Sequence, residues 1–399
     1  MATLPTPSFE AAILSQKLAK KIQQEIIDAG GWIDFATFMH VALYTPRLGY
    51  YSGGAKKFAD LKTGAGDFVT APEISPLFAQ TLAVQVAQIL SAIQIQSVAA
   101  KTKSTNADIL EIGAGTGQLA ADLLLNLQQL NVLPNQYFIL EVSDYLRQIQ
   151  LETLQQNLPN ILFEKVVWLD ALPVNFVGLI LGNELLDALP VHLIEQTTEG
   201  LQERGVSFDG EFVWQNKRLQ AGNLYDYVSA YSLPNGYLTE VCLSATGLVN
   251  SLANSLKQGV ILMLDYGFGA AEYYHPQRNT GTLMCHYQHY AHTDPLINVG
   301  LQDITAHVNF TQIAEAGFEQ NLTLAGYCNQ ASFLMNCGIL EILAETSPSD
   351  VATYAPLAAA AQKLLSPAEM GELFKVIAFT KNLDVDLIGF KSGDKSHNL

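Results

Sequence analysis

At 399 residues and 49% hydrophobic, the chain can bury a large core, and its length favours two or three structural units. A formal charge of -17, from 38 acidic against 21 basic side chains, works against a phosphate backbone as partner, so nucleic acid is not the expected substrate. The four cysteines (Cys242, Cys285, Cys328, Cys337) show no C-x-x-C spacing, which argues against a zinc knuckle or a disulfide framework and for a reducing compartment.

The first residues carry no arginine and no basic segment ahead of an apolar run, so no targeting signal is read. No apolar stretch approaches the roughly 18 residues of a membrane span. A cytoplasmic, bacterial protein is expected. Leu14, Leu18, Ile22 and Ile26 recur at four-residue spacing and predict a helix, with a second over Phe35 to Leu43 that Pro46 stops. Glycines and aromatics crowd Leu48 to Thr70, including Gly66-Asp67-Phe68, as in an ordered lid loop. A helix follows over Pro72 to Ile93, then a polar connection over 97–106.

Beyond it, apolar runs alternate with helical patterns, which predicts an α/β fold with a Rossmann-like parallel sheet. The predicted strands are Ile109–Ile112, Tyr137–Leu140, Ile161–Phe163, Val177–Leu181 and Val260–Leu264. Leu119, Leu123, Leu124, Leu127 and Leu130 form the stripe of a crossover helix, and Ser143 caps the next, which carries Leu146, Ile149 and Leu154. Residues 193–241 read as an inserted hairpin or small β unit around Asp209-Gly210. Further helices are predicted over Ala331 to Leu343 and near Pro367 to Asn382. The expected organisation is an N-terminal helical region with its lid loop over 1–100, a Rossmann-like domain over 101–192 and 246–330, an inserted β/helical subdomain over 193–245, and C-terminal helices over 331–399.

Glu111-Ile112-Gly113-Ala114-Gly115-Thr116-Gly117 ends the first strand and opens a helix, where glycine permits close ligand approach and free backbone N–H groups face the ligand. Position 118 is Gln where the dinucleotide fingerprint wants Gly or Ala, so NAD is the weaker reading. Glu111 suits a ligand bearing an ammonium and a sulfonium, and the cofactor expected is S-adenosyl-L-methionine. Glu141, ending the second strand, can accept both ribose hydroxyl protons, and Asp170 an adenine amino group.

The fourth strand runs into Asn183-Glu184-Leu185-Leu186-Asp187, at the sheet edge where ligands of open α/β sheets bind. An arginine acceptor has a pKa above about 12 and a delocalised charge, so carboxylates must hold it, and Glu184 and Asp187 are the candidates. Asp265-Tyr266 could line the acceptor pocket. His286, His289 and His292 stand three apart and would walk around a helix, so no metal site is read there; His289 is a candidate proton acceptor.

These residues resemble the MidA-like methyltransferases, whose mitochondrial members are arginine methyltransferases assisting respiratory complex I assembly. The resemblance rests on Ala42-Leu43-Tyr44, Gly49-Tyr50-Tyr51-Ser52, Gly66 to Ser75, Glu111 to Gly117, Asn183-Glu184 with Asp187 to Pro190, Asp265-Tyr266-Gly267, Gly281-Thr282-Leu283, and Asp303 to Val308. It implies a class I methyltransferase sheet and a protein partner bearing an arginine, and it leaves room for a homodimer. It also implies that the Gly66 to Glu73 loop approaches the cofactor, and Pro72, Glu73 and Asn183 are read as cofactor-binding residues. Departures at Ala71, Leu185, Leu186 and Met284 touch acceptor specificity. The competing readings are a non-catalytic assembly factor or chaperone that binds the cofactor, and a small-molecule methyltransferase.

Overall fold

A computed structural model describes residues 4–53, 70–99 and 107–399. The Gly66-Asp67-Phe68 stretch of the expected lid and most of the polar connection after residue 97 lie outside the described residues. The chain forms two compact units, one of residues 1–69, 187–247 and 270–308, the other of residues 70–186, 248–269 and 309–399.

The second unit is built on a sheet whose main path has seven strands: β1 (Asp108–Ile112), β2 (Tyr137–Leu140), β3 (Val166–Leu169), β4 (Phe176–Asn183), β5 (Leu256–Phe268), β6 (Thr323–Asn329) and β7 (Phe374–Lys381). They lie in the order β3-β2-β1-β4-β5-β7-β6. The first five pair in parallel, in the doubly wound order of a Rossmann sheet, as the sequence leads one to expect. Then the pattern departs, because β7 enters antiparallel between β5 and β6. The crossover helix Gln118–Gln129 buries Leu119, Leu123, Leu124 and Leu127 against this sheet's core.

Three predicted elements differ. Asn160–Phe163 is a turn of helix after Pro159 and the strand begins at Val166, a register that a short apolar run cannot disclose. Phe374–Lys381 is a strand rather than a helix; its sequence FKVIAFTK, aromatic and β-branched, is buried along nearly its whole length. The helix expected over Ala331 to Leu343 breaks into Gln330–Asn336 and Ile339–Ala344 at Gly338, whose φ is +87°. One apolar stretch is longer than the sequence reading allowed. The helix Pro76–Ala99 has 24 residues, no charged side chain and a mean hydropathy of 1.4 in its most apolar window, enough by length and composition to cross a membrane. Here it buries Leu82, Val86, Ile89 and Ile93 in the core of its unit.

In the first unit, Ser8 caps the helix Phe9–Asp28, accepting the Ala11 amide at 3.2 Å, and the four-residue spacing of Leu18, Ile22 and Ile26 puts them in the core. Asp34 caps the helix Phe35–Tyr44 through the Thr37 amide at 2.8 Å. An antiparallel sheet runs Ile33–Asp34, Gly200–Phe208, His192–Thr197, Tyr237–Val241, and Phe212–Arg218 folds back on Gly200–Phe208 around Asp209-Gly210. A second sheet is formed by Met284–Tyr287, Tyr290–His292 and Asp303–Thr305.

Candidate active site

The strand order reverses between β1 and β4, and open α/β sheets bind their ligands at such a switch point, outside the carboxyl ends of the strands. On the β1 side, Gly113, Gly115 and Gly117 have φ of +68°, +53° and +84°, a region that side chains with a Cβ avoid. A Cβ at Gly113 would stand 3.2 Å from Leu185 Cδ1, and one at Gly117 would stand 3.2 Å from Gln150 Cα. One at Gly115 would meet none of the described residues within 4 Å. The turn is therefore closed against protein at its two ends and open over Gly115, where a ligand can approach the start of helix Gln118–Gln129.

Carboxylates surround this turn. Glu111 is 2% exposed and accepts the Tyr137 hydroxyl at 2.7 Å. Burial pushes its carboxyl up to about 7, with Glu141 adding to the rise and Tyr137 opposing it. Glu141 accepts the Ser143 amide at 2.9 Å and Gln150 Nε2 at 3.1 Å; burial raises its carboxyl while these bonds lower it. Glu73, on the short helix Ala71–Ile74 with Pro72, is also pushed by burial to about 7, against a hydrogen bond with Thr116 of the glycine turn. Among the described residues its Oε2 is buried with no hydrogen-bond partner.

Asp170 stands apart: its side chain is 91% exposed and ion-paired with Arg147 at 2.8 Å. Arg147 also donates to the Glu141 carbonyl at 2.8 Å and the Leu169 carbonyl at 2.7 Å, so it ties together the ends of β2 and β3.

On the β4 side, Asn183 ends the strand and Glu184 turns the chain with φ +50°. Such a conformation costs a non-glycine residue of order 1–3 kcal/mol and persists where the surroundings impose it. The surroundings here are specific. Glu184 N–H donates to the Leu264 carbonyl at 2.9 Å, and its Oε1 accepts the Ala71 amide at 3.1 Å and Asn183 Nδ2 at 3.4 Å. Asp265, expected to face the acceptor, is fully buried; its Oδ2 accepts the Leu185 and Leu186 amides at 3.0 and 2.7 Å, and its Oδ1 the Tyr266 amide at 2.9 Å. It positions the Glu184 turn.

Asp187 falls in the other unit, where it is buried and its carbonyl accepts the Ala306 amide at 3.0 Å. His289 lies there too, exposed in the turn joining Met284–Tyr287 to Tyr290–His292, with φ +67°. The three histidines thus sit on a hairpin rather than a helix. Cys285 pairs with His292 and His286 with Ala291, which sends His286 and His292 to opposite faces.

Sequence reasoning missed Gln150. Fully buried, it donates to the Gly115 carbonyl and to Glu141 at 3.1 Å each, and accepts the Trp168 indole N–H at 3.0 Å. It thereby fixes the glycine turn, the predicted ribose acid and β3 relative to one another. A signal was present: Leu146, Gln150 and Leu154 share one helical face, and a polar residue inside an apolar stripe needs partners.

S-adenosylmethionine fits this set. Glu111 opens the glycine turn and Glu73 hydrogen-bonds Thr116 within it, two acids that burial holds partly protonated and that a cationic ligand would ionise, and among the described residues the Glu73 Oε2 has no hydrogen-bond partner. A sequence model for a family described as "Putative S-adenosyl-L-methionine-dependent methyltransferase" matches residues 81–328. The mitochondrial protein arginine methyltransferase NDUFAF7 of Danio rerio is 30% identical over 404 residues, covering 92% of this chain and 88% of its own. Its Homo sapiens counterpart is 28% identical, covering 88% and 81%. The crystal structure of a COG1565 superfamily member from Burkholderia thailandensis, bound to S-adenosyl-homocysteine, matches with a TM-score of 0.93 at 48% identity over 100% of both chains.

Proposed function

The chain belongs to this family of S-adenosyl-L-methionine-dependent methyltransferases, and from that premise we propose that it methylates an arginine side chain of a protein partner. The methyl donor, when bound, supplies an electrophilic methyl group on a sulfonium. The remaining chemistry is positioning, because direct displacement needs a nucleophile held opposite the leaving sulfur in a desolvated site. The glycine turn receives the cofactor over Gly115, Glu111 and Glu73 offer charge to its cationic groups, and Glu141 offers an acceptor to its ribose. Gln150 holds the turn and Glu141 in register.

The observation that carries the acceptor reading is Glu184, a carboxylate kept in a costly backbone conformation at the carboxyl edge of the sheet. Glu184 would hold a guanidinium and concentrate its electron density on the attacking nitrogen. The arginine methyltransferases at 28–30% identity support the choice of acceptor. The spacing of the four cysteines, with no C-x-x-C pair, suits a reducing cytoplasm, and the family resemblance makes a respiratory-complex subunit the first acceptor to try.

The test is incubation of the purified chain with methyl-labelled S-adenosylmethionine and lysate of the source organism, followed by hydrolysis of the labelled protein. Methylarginine is the expected product; label confined to small molecules or to another residue type overturns the arginine reading. Glu184→Gln should bind S-adenosylhomocysteine as the wild type does and lose transfer by about a hundredfold or more.

A further inference from the structure

We infer that Tyr51 and Asp303, together with Tyr44 and Asp187, form the seat for the cationic side chain of the methyl acceptor, an inference that rests on the arginine reading above. All four belong to the first unit and come from three separate parts of the chain. Tyr51 donates its hydroxyl to Asp303 Oδ1 at 2.8 Å, and Tyr44 donates its own to the Ala188 carbonyl at 2.8 Å. The Ala306 amide reaches the Asp187 carbonyl at 3.0 Å. Three of the segments on which the family resemblance stands, 42–52, 187–190 and 303–308, therefore meet at one place.

The chemistry of that place is specific. Tyr44 and Tyr51 are half-buried with rings 5.5 Å apart and 25° from parallel, and Tyr50 packs edge-on against Tyr51 at 5.1 Å. Asp187 and Asp303 are both buried. Burial first, then the charges of Asp303 and Asp187, hold the Tyr51 phenol well above its usual range, so Tyr51 stays protonated and serves as a donor. Two buried carboxylates around one phenol make a region of negative potential, which packing alone does not call for and which a cation stabilises. Stacked aromatic faces beside carboxylates are the surroundings a guanidinium prefers to an ammonium, because it is planar, stacks on rings and is matched by a carboxylate pair.

The test uses the full chain saturated with S-adenosylhomocysteine and two probes of equal shape, N-acetyl-L-arginine amide and its neutral analogue N-acetyl-L-citrulline amide. Binding is read by saturation-transfer NMR, and S-adenosylhomocysteine affinity by calorimetry reports that each variant is folded. Wild type should bind the arginine probe and not the citrulline probe. Asp303→Asn should weaken that binding by about tenfold or more, and Tyr51→Phe by about threefold to tenfold, with S-adenosylhomocysteine affinity kept.

In transfer to the labelled lysate protein, the same variants should raise KM more than they lower kcat. Arginine-probe binding equal to wild type in both variants overturns the seat, as does an unchanged KM for a methylarginine-forming reaction. Label on a residue other than arginine overturns the arginine reading, and the seat with it. If Asp303→Asn loses S-adenosylhomocysteine binding, Tyr51→Phe alone decides.

Discussion

Replacing Glu111 with Gln should make the cofactor-free protein more stable at neutral pH. Burial raises the Glu111 carboxyl in the folded chain from 4.5 to about 7. A raised carboxyl reverses the usual sign: the folded state holds this proton more tightly than the unfolded state. Its contribution to stability is intact below the unfolded value, falls as pH climbs toward about 7, and levels off above. A gap of about 2.5 units at about 1.36 kcal/mol each amounts to about 3 kcal/mol.

Glutamine has no such proton and can keep the Tyr137 contact, so the variant escapes this loss. Urea denaturation of both proteins without cofactor, from about pH 5 to about pH 8, measures the difference. The variant should exceed the wild type by under about 1 kcal/mol near pH 5, rising to about 3 kcal/mol above pH 7. A difference that stays constant with pH, or shrinks as pH rises, refutes the reasoning, because it would mean that Glu111 ionises in the folded chain as easily as in the unfolded one.

The same acids predict that S-adenosylmethionine binds more tightly as pH rises through about 7, since Glu111 and Glu73 must ionise to meet its cationic groups. Calorimetry in buffers of different ionisation enthalpy should register proton release on binding near pH 6.5, an uptake of protons being the contrary result. Gly115→Val should abolish cofactor binding, since the one open position of the turn would be filled and a β-branched residue is strained at φ +53°; retained affinity would show that the ligand does not pass over Gly115. Gln150→Leu should cost about 1–3 kcal/mol in denaturation and weaken S-adenosylhomocysteine binding, because the Trp168 indole and the Gly115 carbonyl lose a buried partner. Stability within about 0.5 kcal/mol of wild type would deny Gln150 that role.

The parts of the site that were legible in the sequence are those whose residue types report local backbone geometry. Gly113, Gly115 and Gly117 between an apolar run and a leucine stripe announce a strand, a left-handed turn and a helix, and the turn is there. Acids at strand ends are likewise visible in one dimension. What stayed hidden depends on contacts across the fold. The part played by Asp265 is set by amides eighty residues away in the chain, and nothing local distinguishes a carboxylate that clamps a backbone from one that faces a ligand. The strand at Val166 was displaced by five residues because Ile161-Leu162-Phe163 is as apolar as a strand, yet follows a proline that opens a turn. The strand Phe374–Lys381 lost its identity to neighbouring helical patterns, although its β-branched and aromatic composition carried the correct signal.

β5 bears on how the chain is made. It pairs with β4 on one side, and on the other, from Gly259 to Tyr266, with β7, which the ribosome delivers only once residue 381 has been added. Until then, the long interval of synthesis after β5 leaves a buried, nearly all-apolar strand with an open row of hydrogen-bonding groups, the kind of edge that recruits another copy. The nascent protein thus passes through a stage in which self-association competes with completion of its own sheet, and slower translation of the last third, or a holding chaperone bound there, would decide the yield of folded enzyme.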